Sequence, residues 1–162
     1  MCAGDKGKNS QGYQYSYRGT QFYRIIDQFI DQMGNFNVAS AITGGQFDDD
    51  PGGLALKHDR PGLLSAANMG PNTNGGHFSI MVNPAPHLNG HYTIFGEVVE
   101  GMDVVYAVNK LAKTHPKSGS NNEADESAGA VVKDCGQILP SGAIVSPPLS
   151  SVWFPLSTVL WS

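Results

Sequence analysis

Twenty glycines and ten prolines punctuate the 162 residues of this chain, and no other feature constrains its fold as much. Both residue types break regular structure, so their frequency favours many short strands joined by turns over long helices. A length of 162 residues suits one domain, since single domains usually run to ~100–200 residues. Charged residues make up only 15%, below the ordinary ~25%, and glycine is correspondingly frequent. A formal net charge of −4 without any basic cluster speaks against a nucleic-acid partner, because neutralising phosphates needs a clustered basic face. Cys2 and Cys135 lie at opposite ends of the chain and offer neither a disulfide framework nor a Cys-x-x-Cys site.

Along the chain, Gln21 to Ile26 reads as a strand with Phe22, Arg24 and Ile26 on one face and Tyr23 and Ile25 on the other. Arg24 thus shares its face with apolar groups, which is costly unless something uses the charge. Phe29 to Met33 continues in the same style. Gly34 to Asp59 is loop-like, and Asp48-Asp49-Asp50 followed by Pro-Gly-Gly reads as a solvated turn rather than a calcium loop, which would alternate ligands with spacers. Gly62 to Ala67 reads as a buried strand running into an irregular turn from Asn68 to Gly76. His77 to Val82 alternates cleanly, with Phe78, Ile80 and Val82 facing one way and His77, Ser79 and Met81 the other. Pro84 to Asn89 is a loop closing on the tight-turn pair Asn89-Gly90, and Tyr92 to Val99 is the next strand. Met102 to Lys113 is the best helix, with Met102, Val105, Val108 and Leu111 recurring every third residue. Ala130 to Ile138 reads as a last strand.

Nothing after Asp134 carries a side-chain charge. Crossing a bilayer takes ~20 apolar residues, but Pro140, Pro147, Pro148 and Pro155 interrupt this run, so no membrane span is expected. Residues 139–162 are set apart as an uncharged, proline- and serine-rich apolar tail of irregular structure, and residues 1–138 as the folded domain. The first ten residues lack the apolar run of a signal peptide; the compartment is left open, with a cytoplasmic location as the default only.

No P-loop, paired cysteine ligands or Ser-His-Asp arrangement is visible. His87 and His91 are four apart, but Leu88-Asn89-Gly90 between them forms a turn and no third ligand stands out, so no metal is expected. The stretch Tyr23 to Gly34 remains: Arg24, a permanent cation, with Phe29, Ile30 and Gln32 close behind it. A guanidinium beside an apolar pocket and a carboxamide is a binding site in outline.

Four segments place that outline in a wider pattern. Phe22-Tyr23-Arg24-Ile25-Ile26 comes first. Gly62-Leu63-Leu64-Ser65-Ala66-Ala67-Asn68 follows with Gly70-Pro71-Asn72-Thr73-Asn74-Gly75, then Leu88-Asn89-Gly90 with Phe95-Gly96-Glu97-Val98, and last Asp134-Cys135-Gly136-Gln137. In this order they closely resemble the cyclophilins, the peptidyl-prolyl cis-trans isomerases that also bind cyclosporin, and the resemblance runs from Cys2 to Ile138. It implies a mainly β fold with few helices, built as an antiparallel β-barrel, and a catalyst of rotation about X-Pro bonds that assists protein folding without a cofactor. Its partners would be proline-containing peptides and unfolded or folding proteins. Arg24 matches the catalytic arginine and Gln32 the glutamine that positions it and the substrate. Phe29, Ile30 and Leu88 match the walls of the proline pocket, and Ala67 and Asn68 the segment whose backbone pairs with the substrate chain.

Several positions depart from the family pattern. His77 falls where a polar glutamine is usual, Ser79 where a phenylalanine floors the pocket, His87 where many members carry the tryptophan associated with cyclosporin, and Tyr92 where a histidine is common. Weak cyclosporin affinity and reduced isomerase efficiency are expected from these changes. The first two strands and first helix of the family barrel have no counterpart here, so the barrel is expected to be incomplete. Two alternatives to an active isomerase therefore stand beside it: a non-catalytic proline-peptide binding module, and a truncated product without a stable fold.

Overall fold

The computed structural model describes residues 7–35, 45–138 and 144–145. Its core is one antiparallel sheet of β1 (Phe22–Ile26), β2 (Ile30–Gly34), β3 (Leu63–Ala66), β4 (His77–Met81) and β5 (Ile94–Glu97), in the order β1-β2-β4-β3-β5. The sheet does not close into a barrel among the described residues. Helices are few and short: α1 (Pro51–Ala55), α2 (Met102–Asn109) and α3 (Leu111–Thr114).

Strand alternation gives the sheet two distinct faces. On one, Met33, Leu64, Phe78, Ile80 and Val82 pack with Val105 of α2. On the other, Ile30, Leu63 and Met81 pack with Ala85 and Ile94. A third cluster, Ile25 with Ala112 and Ala124, fills the space between β1 and α3. The opposed clusters account for the all-buried character of β3, a strand covered on both sides.

The outer edge of β1 is covered by the chain that returns past it. Ala124 N donates to Ile25 O at 2.9 Å, Asp27 N to Asn122 O at 2.6 Å and Phe22 N to Ala130 O at 3.0 Å. These bonds satisfy backbone groups that an exposed edge would leave open to pairing with other chains.

Several sequence expectations change in detail. A register shift between Phe22 and Arg24 breaks the strict alternation of β1. Phe22 packs with Ile25, whereas Ile26 packs with Ile30 on the opposite face; a bulge adds a residue to one strand and so exchanges faces beyond it. The expected helix from Met102 to Lys113 divides into α2 and α3 at Lys110. The loop read from Gly34 to Asp59 contains α1, capped by Asp50, whose carboxylate accepts from Gly53 N at 2.7 Å.

The aspartate run is more than a solvated turn. Asp49 accepts from Asn72 N at 2.9 Å and Asn74 Nδ2 at 2.7 Å, bonds that hold its carboxyl below the usual carboxylate range. The last strand is also shorter than expected: Val131 forms an isolated bridge with Gln21, and only β6 (Gln137–Ile138) is regular. It pairs with β7 (Ile144–Val145), a piece of the uncharged tail, the rest of which lies outside the described residues. No helix among the described residues is long and apolar enough to cross a membrane.

Candidate active site

One register carries the site. Arg24 of β1 stands opposite Gln32 of β2, Gln32 opposite Ser79 of β4, and Ser79 opposite Ser65 of β3. Side chains of directly opposed residues project from the same face of a sheet, so these four form a polar row crossing four strands. The adjacent position along the strands is apolar, with Ile26 opposite Ile30 and Ile30 opposite Met81. The cleft above the two rows has a volume of about 270 Å3.

Its walls come from connections rather than strands. Phe29, in the turn between β1 and β2, lies with its ring centroid 5.3 Å from that of His87, the planes tilted by 36°. His87 and Leu88 belong to a single 3-10 turn, Pro86–Leu88, and Tyr92 follows on the same connection. Ala66, Ala67 and Asn68 complete the rim. Asn68 Nδ2 donates to His91 O at 3.0 Å and Asn68 Oδ1 accepts from Gly70 N at 3.3 Å, which fixes the asparagine-rich turn against the opposite wall. That turn is stiffened from within, as Thr73 Oγ1 accepts from Met69 N at 2.9 Å and donates to Gly70 O at 2.7 Å.

Arg24 stands at the end of the polar row with about half of its side chain exposed, and its Nε lies 3.9 Å from Glu123 Oε1. At that separation and exposure the pair holds the guanidinium only loosely. Lys117 approaches the same carboxylate at 3.7 Å, so the charge of Glu123 is shared between two cations.

Beneath the floor lies a buried chain that sequence reasoning missed. His58, 1% exposed, has Nε2 2.9 Å from Ser65 Oγ and Nδ1 3.1 Å from Asn89 Oδ1. The same Asn89 oxygen accepts the His58 backbone N–H at 2.8 Å, and Ala85 N donates to His58 O at 2.8 Å. His58 thereby ties the wall segment carrying His87 and Leu88 to the floor at Ser65. Burial pushes its imidazole below the usual histidine range, which keeps it neutral. No spacing rule unites residues 58, 65 and 89; the one available signal was a serine inside an otherwise apolar strand, Gly62 to Ala67.

Of the residues singled out from sequence, Arg24, Phe29, Ile30, Gln32, Ala67, Asn68, Ser79, His87, Leu88 and Tyr92 all line this cleft. His77 is not among the lining residues. Its Nδ1 lies 2.9 Å from Tyr23 Oη, and burial lowers its pKa from the usual histidine value. Ser65 and Ala66 join the lining although neither was singled out. No group of three or more His, Cys, Asp or Glu side chains suited to a metal ion occurs among the described residues. The family model described as cyclophilin type peptidyl-prolyl cis-trans isomerase/CLD matches residues 4–136.

Proposed function

The chain belongs to the cyclophilin-type peptidyl-prolyl cis-trans isomerases, and from that premise we propose that its own cleft catalyses rotation about X-Pro bonds, with Arg24 as the catalytic donor. The observation that carries this reading is the polar row ending in Arg24 beside an apolar row and the Phe29 wall. Rotation about an amide faces a barrier of ~18–20 kcal/mol because the nitrogen lone pair is conjugated with the carbonyl. In the twisted transition state that lone pair is localised on the nitrogen. A donor aimed at it stabilises the transition state more than either planar ground state, the condition for catalysis.

The remaining residues serve binding and orientation. Phe29, Ile30 and Leu88 hold the prolyl ring, with His87 and Tyr92 extending the wall. Gln32, opposite Arg24, orients the guanidinium and the substrate carbonyl. Ala67 and Asn68 pair with the substrate chain through their backbone. Arg24, Gln32 and a twisted amide need no nucleophile and no cofactor. Substrates are proline-containing peptides and folding proteins; cyclosporin binds weakly, because His87 and Ser79 offer less apolar contact than larger aromatic groups would.

The test is the cis–trans relaxation of a prolyl tetrapeptide with purified protein whose cooperative thermal melt has been recorded. Relaxation faster than the uncatalysed rate, in proportion to protein concentration, is expected. Uncatalysed relaxation by a cooperatively melting protein would leave the second reading, a proline-peptide binding module. The exposure of Arg24 and the polar floor at Ser79 are the observations that favour that alternative.

A further inference from the structure

The floor of the cleft is polar where a prolyl ring would rest. Ser65 and Ser79 are opposed on β3 and β4, both line the cleft, and they are 2% and 8% exposed. Their hydrogen-bonding states differ. Asn89 Oδ1 accepts the His58 backbone N–H, which fixes the orientation of the amide. An amide oxygen is an acceptor only, so the His58 Nδ1 3.1 Å away carries the proton. His58 Nε2 is then bare and accepts from Ser65 Oγ at 2.9 Å. Ser65, its proton committed to His58, presents lone pairs to the cleft. The Ser79 hydroxyl forms no hydrogen bond with any of the described residues and can both donate and accept.

An acceptor and a two-way hydroxyl on opposed residues, roughly 5 Å apart at Cβ, match a ligand hydroxyl. An unsubstituted methylene ring would strip water from both serines without replacing its hydrogen bonds, which is unfavourable. A ring hydroxyl donates to Ser65 and accepts from Ser79, while Phe29, Ile30 and Leu88 still enclose the ring carbons. We propose that this cleft prefers prolines whose ring carries a hydroxyl, with 4-hydroxyproline the natural case, over proline itself. This specificity rests on the reading of the cleft as a prolyl site, and it assigns Ser79 as the residue that sets it.

The experiment uses two otherwise identical peptides, one with proline and one with (4R)-hydroxyproline. Calorimetric titration gives their affinities, and exchange NMR gives their isomerisation rates. The hydroxyprolyl peptide is expected to bind about fivefold more tightly, the effect of one net hydrogen bond. Ser79→Ala is expected to lower the affinity ratio towards one by removing one of the two partners, and Ser79→Phe, which fills the floor, to reverse it. Equal affinities in the wild type, or a preference unchanged in both variants, would overturn the proposal. A wild type that discriminates between the peptides yet accelerates neither would support the preference and overturn the isomerase reading. Isomerisation of the prolyl peptide without discrimination would overturn the preference alone, and failure to bind either peptide would overturn both.

Discussion

Asp31 stands beside Gln32 in β2 yet faces the opposite side of the sheet, with no exposed surface. Asn109 Nδ2 donates to its Oδ1 at 2.7 Å, while Oδ2 has no partner among the described residues. Burial pushes the carboxyl from the ordinary 3.8 up to about 7, and the Asn109 hydrogen bond opposes part of that rise. The folded state therefore holds this proton more tightly than the unfolded chain. The associated stability is fully present below pH 4 and is lost as pH rises towards 7. Asp31→Asn removes the titration. Its unfolding free energy relative to wild type is expected to grow between about pH 4 and pH 7, by up to ~1.4 kcal/mol per pH unit, and then level off. Urea melts of the two proteins across that range measure the difference; parallel pH profiles would show that Asp31 titrates normally.

Among the elements, α2 fixes the geometry of the turn that supplies Phe29. Besides Asp31, Asn109 Nδ2 donates to Ile26 O at 2.9 Å, and Asn109 Oδ1 accepts from Gln28 N at 2.9 Å. Gln28 has a φ of 54°, the left-handed region that a non-glycine residue enters only when its surroundings hold it there. One helical side chain thus closes the β1–β2 turn and supports the buried carboxylate. Asn109→Ala is expected to destabilise the fold by about 2–3 kcal/mol, the cost of leaving such groups unpaired, as read from the shift of the urea midpoint. A loss below about 0.5 kcal/mol, the ordinary range for surface positions, would show that the turn does not depend on α2. The tripeptide-like spacing of Met102, Val105, Val108 and Leu111 announced a helix here, but not its purpose. It also concealed the division at Lys110, because Met102 and Val105 pack on one cluster while Val108 and Leu111 pack on another.

Over the whole molecule, the site depends on register between strands distant in sequence. The two faces of β4 were legible, since Phe78, Ile80 and Val82 alternate with His77, Ser79 and Met81, and the structure buries the first three in one cluster and Met81 in the opposed one. The cross-strand row was not, because hydropathy within one strand carries no information about which residue of another strand lies opposite. The bulge in β1 was invisible for a related reason: it depends on how the extra residue is accommodated against β2, not on the composition of Gln21 to Ile26. Arg24, Phe29 and Gln32 were recognisable together because they lie within nine positions of one another. His58 escaped because its meaning comes from Ser65 and Asn89, which only the folded chain brings to it. The cyclophilin-type sheet is thus readable from local alternation and motif order, whereas the floor of its cleft follows from tertiary pairing.

The proposed catalysis requires Arg24 to act on the twisted amide rather than on the bound peptide. Exchange NMR of a prolyl peptide separates the two roles, since it yields both the dissociation constant and the rate of cis–trans exchange on the protein. For Arg24→Ala the exchange rate is expected to fall about a hundred- to a thousandfold, as when a transition-state donor is lost, with affinity changed far less. Exchange that persists at the wild-type rate, or that falls only in proportion to a weakened affinity, would contradict it.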